Sequence, residues 1–290
     1  MCQVLLDAFG RPIFGYWFFY GLGLLAAVCV FLLLASRRGL GFLNAWAILA
    51  LSILGAFLLG RLGHILFEPG FGDWTDLQTG GEVSFTGMAG ALLLPLIFAW
   101  WRKLPLGDVL DAGAPAIFLA QGIQRLGCFC NGCCYGPTAD TFLSVRFPSG
   151  SVCFREHLAW GWVGPQEAFT RPVVPMQLIE FSVCLAVAGV AGWLVWRARL
   201  GGRAVWLAFV FYGGCRFILQ WFRPNYDLDN RTWGWNSGHT MALIMLAAGA
   251  GMVWLIHRFP RLGIARTGNP GPAGKPGTPA KPERPVRGGR

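Results

Sequence analysis

The stretch "IFGYWFFYGLGLLAAVCVFLLLASRR", residues 13–38, decides the class of fold. Its first 23 residues carry no charged side chain, and a membrane-spanning helix needs about 20 mostly apolar residues. Arg37 and Arg38 follow directly, and basic residues concentrate on the cytoplasmic side of a membrane. The stretch therefore predicts a transmembrane helix at residues 13–35 whose C-terminal end faces the cytoplasm.

The composition of the whole chain agrees with this prediction. Of its 290 residues, 54% are apolar and 13% are charged, whereas a soluble domain carries about 25% charged residues. The 14 tryptophans suit a membrane protein, because indole rings favour the membrane interface. We therefore expect an all-α polytopic membrane protein with seven transmembrane helices, at approximately 13–35, 42–66, 84–101, 108–127, 175–196, 204–222 and 238–256.

Basic residues set the predicted orientation. With the N-terminus outside, the cytoplasmic segments hold 15 Lys and Arg residues and the outer segments hold 6. We therefore expect the N-terminus outside and the C-terminus in the cytoplasm. Residues 1–262 form the predicted membrane domain, with 128–174 as a small extracytoplasmic head of one or two helical turns. Residues 263–290 are predicted to be a disordered basic tail rich in Pro and Gly.

The net charge of +10 does not indicate nucleic acid, because much of it lies in this tail, where anionic lipid is the expected partner. Arg61, Arg125 and Arg216 instead fall inside predicted spans, toward their outer ends. An ionisable residue within a span is costly and indicates function by default. Because a guanidinium group can donate two hydrogen bonds to phosphate, the three residues predict an anion site. Snorkelling to the interface and pairing with a carboxylate remain alternatives.

A polar stripe runs along the sixth predicted span in "FYGGCRFILQWFRP", residues 211–224. Tyr212, Arg216 and Gln220 follow one another at intervals of four, so they share one helical face, and Arg223 comes three residues later. A polar face in an apolar span should point into the helix bundle.

Four cysteines crowd into "QRLGCFCNGCCYG", residues 124–136: Cys128, Cys130, Cys133 and Cys134. Metal binding is disfavoured, because the adjacent Cys133 and Cys134 are hard to place on one tetrahedral ion and no His pair is nearby. Disulfides in an oxidising compartment, a thiol activated by Arg125, and inert packing remain open. We therefore predict no metal site.

Several motifs, taken together, resemble the prolipoprotein diacylglyceryl transferase family. "QRLGCFCNGCCYG" is similar to the family signature G-R-x-G-N-F-x-N-x-E-x-x-G. In the family's order along the chain, "FYGLGL", "GRLGHILF", "VSFTGMAG", "VPMQLIE", "YGGCRFILQWFRP" and "SGHTMAL" resemble its other motifs. The resemblance covers residues 16 to about 257.

This resemblance implies a bacterial inner-membrane enzyme with multiple spans. It moves the diacylglyceryl group of phosphatidylglycerol to the lipobox cysteine thiol in the signal peptide of a preprolipoprotein, forming a thioether while glycerol phosphate leaves. The lipid bilayer is its surrounding partner, and no cofactor is implied. The resemblance, with the residue patterns above, assigns catalytic roles to Arg125, Arg216, Tyr212, Tyr20 and His239. It assigns substrate binding to Arg61, Thr86, Cys128, Asn131, Cys133, Gln177, Glu180, Gln220 and Arg223.

The sequence departs from the family pattern at positions that bear on proton transfer. Thr86 stands where the family has a histidine, Cys128 replaces an asparagine, and Cys133 and Gln220 replace glutamates. Because a thiol must ionise before it attacks, either His239 or stabilisation of the thiolate by the arginines replaces the missing base. Two alternatives to the leading function are a divergent relative that transfers another phospholipid-derived group and a non-catalytic lipid-binding membrane protein.

Overall fold

The computed structural model describes residues 4–8, 11–67, 84–198, 200–222 and 237–259. A short antiparallel ribbon of two strands precedes eight helices. The strands are β1 (Val4–Ala8) and β2 (Arg11–Phe14). The helices are α1 (Gly15–Arg38), α2 (Phe42–Phe67), α3 (Ser84–Trp101), α4 (Leu106–Asn131), α5 (Val152–Ala159), α6 (Met176–Arg197), α7 (Arg203–Gln220) and α8 (Ser237–Arg258).

All the long helices coincide with predicted spans, and their ends agree to within a few residues. The largest differences are at α1 and α4. The fourth span was predicted at 108–127, whereas α4 continues to Asn131 and tolerates Pro115 in its interior. The sequence analysis did not predict the short N-terminal ribbon of β1 and β2, while the rest of the described structure is helical, as expected.

Four helical segments are long and apolar enough to cross a membrane: Gly15–Arg38, Phe42–Gly63, Met176–Arg197 and Gly238–Arg258. Exposed tryptophans and other large apolar side chains cover their outer faces. A helix needs such a surface when its surroundings are lipid rather than water. The chain is therefore a multi-pass membrane protein.

Helix α4 lies at the centre of the bundle. It packs extensively against α1 and α6 and also contacts α7, while α2 pairs with α3 and α7 pairs with α8. Small residues permit the closest crossings. A side chain at Gly90 of α3 would collide with the carbonyl oxygen of Gly55 of α2.

The segment between α4 and α6 has a small core of its own, which contains Tyr135, Phe147, Cys153 and Val173. Val173 forms bridges with both Thr138 and Val145, and α5 provides the helical turns expected there. The predicted tail, residues 263–290, lies outside the described residues.

Candidate functional site

Two predicted site residues, Arg125 of α4 and Arg216 of α7, meet at one carboxylate, Glu180 of α6. Arg125 Nε lies 2.8 Å from Glu180 Oε2, and Arg216 Nη1 donates a hydrogen bond to Glu180 Oε1. Glu180 is 1% exposed. Among the described residues, two cations thus converge on one buried carboxylate, and guanidinium groups suit the binding of an anion. This trio is called the arginine cluster below.

Small residues bring the helices of the arginine cluster together. A Cβ atom on Gly122, one turn before Arg125, would lie 3.0 Å from the Cβ atom of Cys184, one turn after Glu180. The contact therefore allows α4 and α6 to approach closely. The sequence offered one signal for Glu180 as the shared counter-ion, because it is the only acidic residue in the apolar sequence of α6.

A second layer lies one turn below the arginine cluster. Gln121 Nε2 donates a hydrogen bond of 2.6 Å to the hydroxyl of Tyr212. Gln121 and Tyr212 precede Arg125 and Arg216 by four residues, so both layers use the same faces of α4 and α7. Tyr212 is buried, as the polar stripe predicted, whereas the sequence analysis missed Gln121.

The cysteine-rich turn after α4 adjoins the arginine cluster. The sulfur atoms of Cys128, Cys133 and Cys134 all lie within 4.8 Å of one another, although the sequence analysis considered the adjacent Cys133 and Cys134 hard to place on one tetrahedral ion. Gln177 Nε2 donates to the carbonyl oxygen of Cys133 at 2.7 Å. Contact of its thiol with Cys128, and then with Cys134, raises the pKa of Cys133, and burial adds to this effect. No disulfide joins the cysteines in the described part of the chain.

Two more predicted residues, Gln220 and His239, lie where α7 meets α8. Both are buried, and a side chain at Gly238 would collide with Gln220. The ring of His239 packs against Trp221, with centroids 4.6 Å apart, and lies within electrostatic range of Arg216. The site thus extends from the arginine cluster toward α8.

Three more predicted residues are Arg61 and Thr86, on the α2–α3 pair, and Arg223. Arg61 is buried on α2, and Thr86 of α3 lies where a Gly63 side chain would be. The predicted convergence is seen for Arg125 and Arg216 at Glu180, whereas a role for Arg61, which belongs to the α2–α3 pair, stays a prediction. Arg223 lies outside the described residues.

Two tyrosines of α1 bear on the site. Tyr20, whose predicted catalytic role stays a prediction, is 43% exposed, and its ring contacts Trp17. Tyr16, which the sequence analysis did not select, contacts Gln124 and lies within electrostatic range of Cys128 and Cys133. The predicted Asn131 is the last residue of α4 and is half-buried beside the cysteine-rich turn.

Comparison with known proteins gives a consistent result along nearly the whole chain. A family model described as prolipoprotein diacylglyceryl transferase matches residues 3–255. A phosphatidylglycerol–prolipoprotein diacylglyceryl transferase of Polaromonas sp. is 31% identical over 264 residues, which cover 84% of this chain and 90% of that protein. The enzyme of the same name from Verminephrobacter eiseniae is 31% identical over 276 residues, covering 88% and 93%. One from Clostridium tetani is 26% identical over 228 residues, covering 77% and 86%.

Proposed function

The chain belongs to the prolipoprotein diacylglyceryl transferase family, and we propose that it transfers the diacylglyceryl group of phosphatidylglycerol to the lipobox cysteine of a prolipoprotein. The observation that carries this proposal is the arginine cluster. It brings two guanidinium groups together at the meeting point of three helices, where a phosphate can bind. The matched relatives are named for the same substrates.

Glu180 holds the two arginines in place for this reaction. Because its two oxygens contact different guanidinium groups, neither arginine must reorganise when the phosphate arrives. Fixed donors of this kind act most strongly where charge develops in the transition state. Each guanidinium keeps further N–H groups that can donate to phosphate oxygens.

The reaction replaces a carbon–oxygen bond with a carbon–sulfur bond. The acceptor sulfur donates its electron pair to the glyceryl carbon, and the carbon–oxygen bond breaks toward the phosphate. Glycerol phosphate leaves with that electron pair, and Arg125 and Arg216 stabilise its charge. Tyr212 and Gln121 support the arginines from the layer below.

The acceptor thiol must lose its proton first. Thr86 cannot accept it at neutral pH, and His239 is enclosed by aromatic rings close to a cation. These surroundings favour stabilisation of the thiolate by the arginines over general-base catalysis by His239.

The proposed enzyme spans a bacterial inner membrane seven times, with its N-terminus outside and residues 128–174 as an extracytoplasmic head. The excess of basic residues in the predicted cytoplasmic segments, 15 against 6, supports this orientation. The arginine cluster would then lie toward the outer face, where both phosphatidylglycerol and the exported signal peptide are accessible.

Complementation tests the proposed function directly. The chain is expressed in cells depleted of their own transferase, and the N-terminal cysteine of a reporter lipoprotein is examined by mass spectrometry. We expect a diacylglyceryl thioether with the wild-type chain and unmodified precursor with Arg125→Ala. Unmodified precursor in cells that contain the folded, inserted wild-type chain would contradict the proposal and favour a non-catalytic lipid-binding role.

A further inference from the structure

The three sulfur atoms of Cys128, Cys133 and Cys134 have the spacing of metal ligands. They lie within 4.8 Å of one another. Zinc–sulfur bonds of about 2.3 Å in a tetrahedral site separate neighbouring sulfurs by about 3.8 Å. Small side-chain rotations would therefore bring all three onto one ion. This group is called the thiol triad below.

The backbone around the thiol triad is folded back on itself by two left-handed residues. Gly132 (φ 74°) ends α4, and Cys134 (φ 62°) has the same uncommon conformation without being glycine. Non-glycine residues adopt it rarely, and mainly where the surroundings impose it. The amide of Cys133 then bonds to the carbonyl oxygen of Cys128 at 3.1 Å. The turn thus places Cys133 and Cys134 next to Cys128.

Neighbouring elements hold this turn from two directions. The amide of Cys153 in α5 donates a hydrogen bond to the carbonyl oxygen of Gly132 at 3.0 Å. Gln177 Nε2 of α6 donates one to the carbonyl oxygen of Cys133 at 2.7 Å. A metal site requires ligands positioned by such outer contacts. Cys130 and Cys153 are not part of the sulfur group, and Cys153 is buried against His157 in the core of the head.

We propose that the thiol triad binds a zinc ion whose fourth position takes the sulfur of the acceptor cysteine. This inference rests on the proposed transferase function. Thiolate ligands select soft or borderline ions such as zinc, and three protein ligands with one open position are typical of catalytic zinc sites. The thiol triad therefore replaces the base that Thr86 cannot supply.

Cys128 of the thiol triad and Gln177, which holds its turn, lie one helical turn from the arginine cluster on α4 and α6. On α4, Arg125 precedes Cys128 by three residues, and on α6, Gln177 precedes Glu180 by three. One helical turn is about 5.4 Å, so a sulfur held at the thiol triad lies beside a phosphate held at the arginines. Arg125 also lies within electrostatic range of Cys128 and Cys134, and its positive charge offsets the negative charge of a zinc–thiolate centre.

The step conserves atoms and electrons without an oxidant. The acceptor thiol releases its proton to solvent as its sulfur binds the ion, because a coordinating thiol is deprotonated outright. That sulfur then uses an electron pair to form the bond to the glyceryl carbon. The carbon–oxygen bond breaks, and its electron pair leaves with glycerol phosphate. The product thioether sulfur is neutral, so it binds the ion weakly and dissociates.

Metal binding is tested on the full chain in lipid nanodiscs, purified under argon and incubated with Zn²⁺ alone. We expect one zinc per chain, measured by elemental analysis after removal of excess metal. Cys128→Ser, Cys133→Ser and Cys134→Ser should each lose it, while the matched control Cys130→Ser should retain it. Absence of bound zinc in the wild-type chain overturns the proposal, whatever its transferase activity.

The acceptor role is tested by the absorption of the Co²⁺-substituted chain. A lipobox peptide with its cysteine should add a sulfur-to-cobalt charge-transfer band, and the peptide with serine in its place should not. Identical spectra with both peptides overturn the acceptor role.

Removing the metal should lower the rate of thioether formation by about 30-fold at pH 7, because a free thiol with a pKa near 8.5 is only a few per cent ionised there. An unchanged rate without metal overturns the proposal. If zinc and both peptide spectra behave as expected but no thioether forms under any condition, the metal site stands and the transferase function fails.

Discussion

Two buried ionic groups occupy opposite ends of α4, and their charge balance differs. Near its start, Arg38 of α1 contacts Asp108 at 3.3 Å and donates to the carbonyl oxygens of Val195 and Ala198 at the end of α6. Toward its other end, about 25 Å away by helical rise, Arg125 shares Glu180 with Arg216. The first group pairs one cation with one carboxylate, and the second pairs two cations with one.

This difference distinguishes a buried charge that stabilises the fold from buried charges that serve a function. Arg38 bonds to a carboxylate and to two carbonyl oxygens that end α6, so its neighbours within the protein satisfy it. Nearby, Asp111 accepts the amides of Gly202 and Ala204 at the start of α7. In the arginine cluster, by contrast, two cations share one carboxylate among the described residues, and buried charge is costly in an apolar medium. The convergence of two cations, rather than burial itself, indicates function.

The largest expected effect comes from Arg216→Ala. It removes one of the two guanidinium groups and leaves Arg125 and Glu180 as one cation and one carboxylate, as in the Arg38 pair. We expect the rate of thioether formation to fall by about 10²- to 10³-fold, the usual cost of losing one donor to developing charge. The measurement is lipidation of a reporter precursor by purified membranes. Arg197→Ala is the matched control, since it removes an arginine elsewhere on the bundle, and equal losses in both variants would contradict the comparison.

Arg38→Ala should instead act on stability. It leaves Asp108 buried without its cation and frees the carbonyl oxygens at the end of α6, and breaking a buried pair costs about 3–5 kcal/mol. We expect a lower thermal midpoint in nanodiscs, with the transferase rate of the folded fraction within about twofold of wild type. A large fall in that rate at unchanged stability would mean that the two ends of α4 are not independent.

A smaller effect comes from neutralising the carboxylate of each group. Glu180→Gln leaves two buried cations, whereas Asp108→Asn leaves one. Both variants should be less stable, but added glycerol phosphate should restore stability only in Glu180→Gln, because the anion can replace the lost carboxylate. At a glycerol phosphate concentration ten times its dissociation constant, the free energy of unfolding rises by about 1.4 kcal/mol. Thermal unfolding with and without the anion measures it, and equal recovery of both variants would refute the assignment of the anion site.

The sequence predicted the helices better than the contacts between them. Runs of apolar residues located the spans, because each helix that contacts lipid needs an apolar sequence of its own. The spacing of Tyr212, Arg216 and Gln220 located the buried face of α7. The lone acidic residue of α6 pointed to Glu180, but its two arginine partners and the Arg38–Asp108 pair could not be deduced, because each contact joins residues far apart in the chain. The left-handed conformation of Cys134 also depends on tertiary contacts, so the sequence spacing could not show that the three sulfur atoms lie close together.

A third buried titratable group, His157 in the head, differs from the two ionic groups of α4 because its side chain stays neutral. It is fully buried, its Nε2 atom lies 3.7 Å from Cys153 Sγ, and its ring packs against Trp162. Burial, and then the charge of Arg171, lower the pKa of His157. Burial also raises the pKa of the Cys153 thiol to about 12, so both members of the pair are uncharged at neutral pH.

The smallest effect is therefore a pH dependence of the head. Because the folded state binds the His157 proton less readily than the unfolded state, its contribution is fully present above the ordinary pKa of about 6.5. This contribution is lost as the pH falls through the lower pKa of His157 in the folded state. The free energy of unfolding then changes by at most about 1.4 kcal/mol per pH unit. Tryptophan fluorescence during thermal unfolding at pH 7.5 to 5 measures this loss. His157→Gln should abolish it and the exposed His257→Gln should not, whereas an unchanged slope in His157→Gln would show that another group titrates.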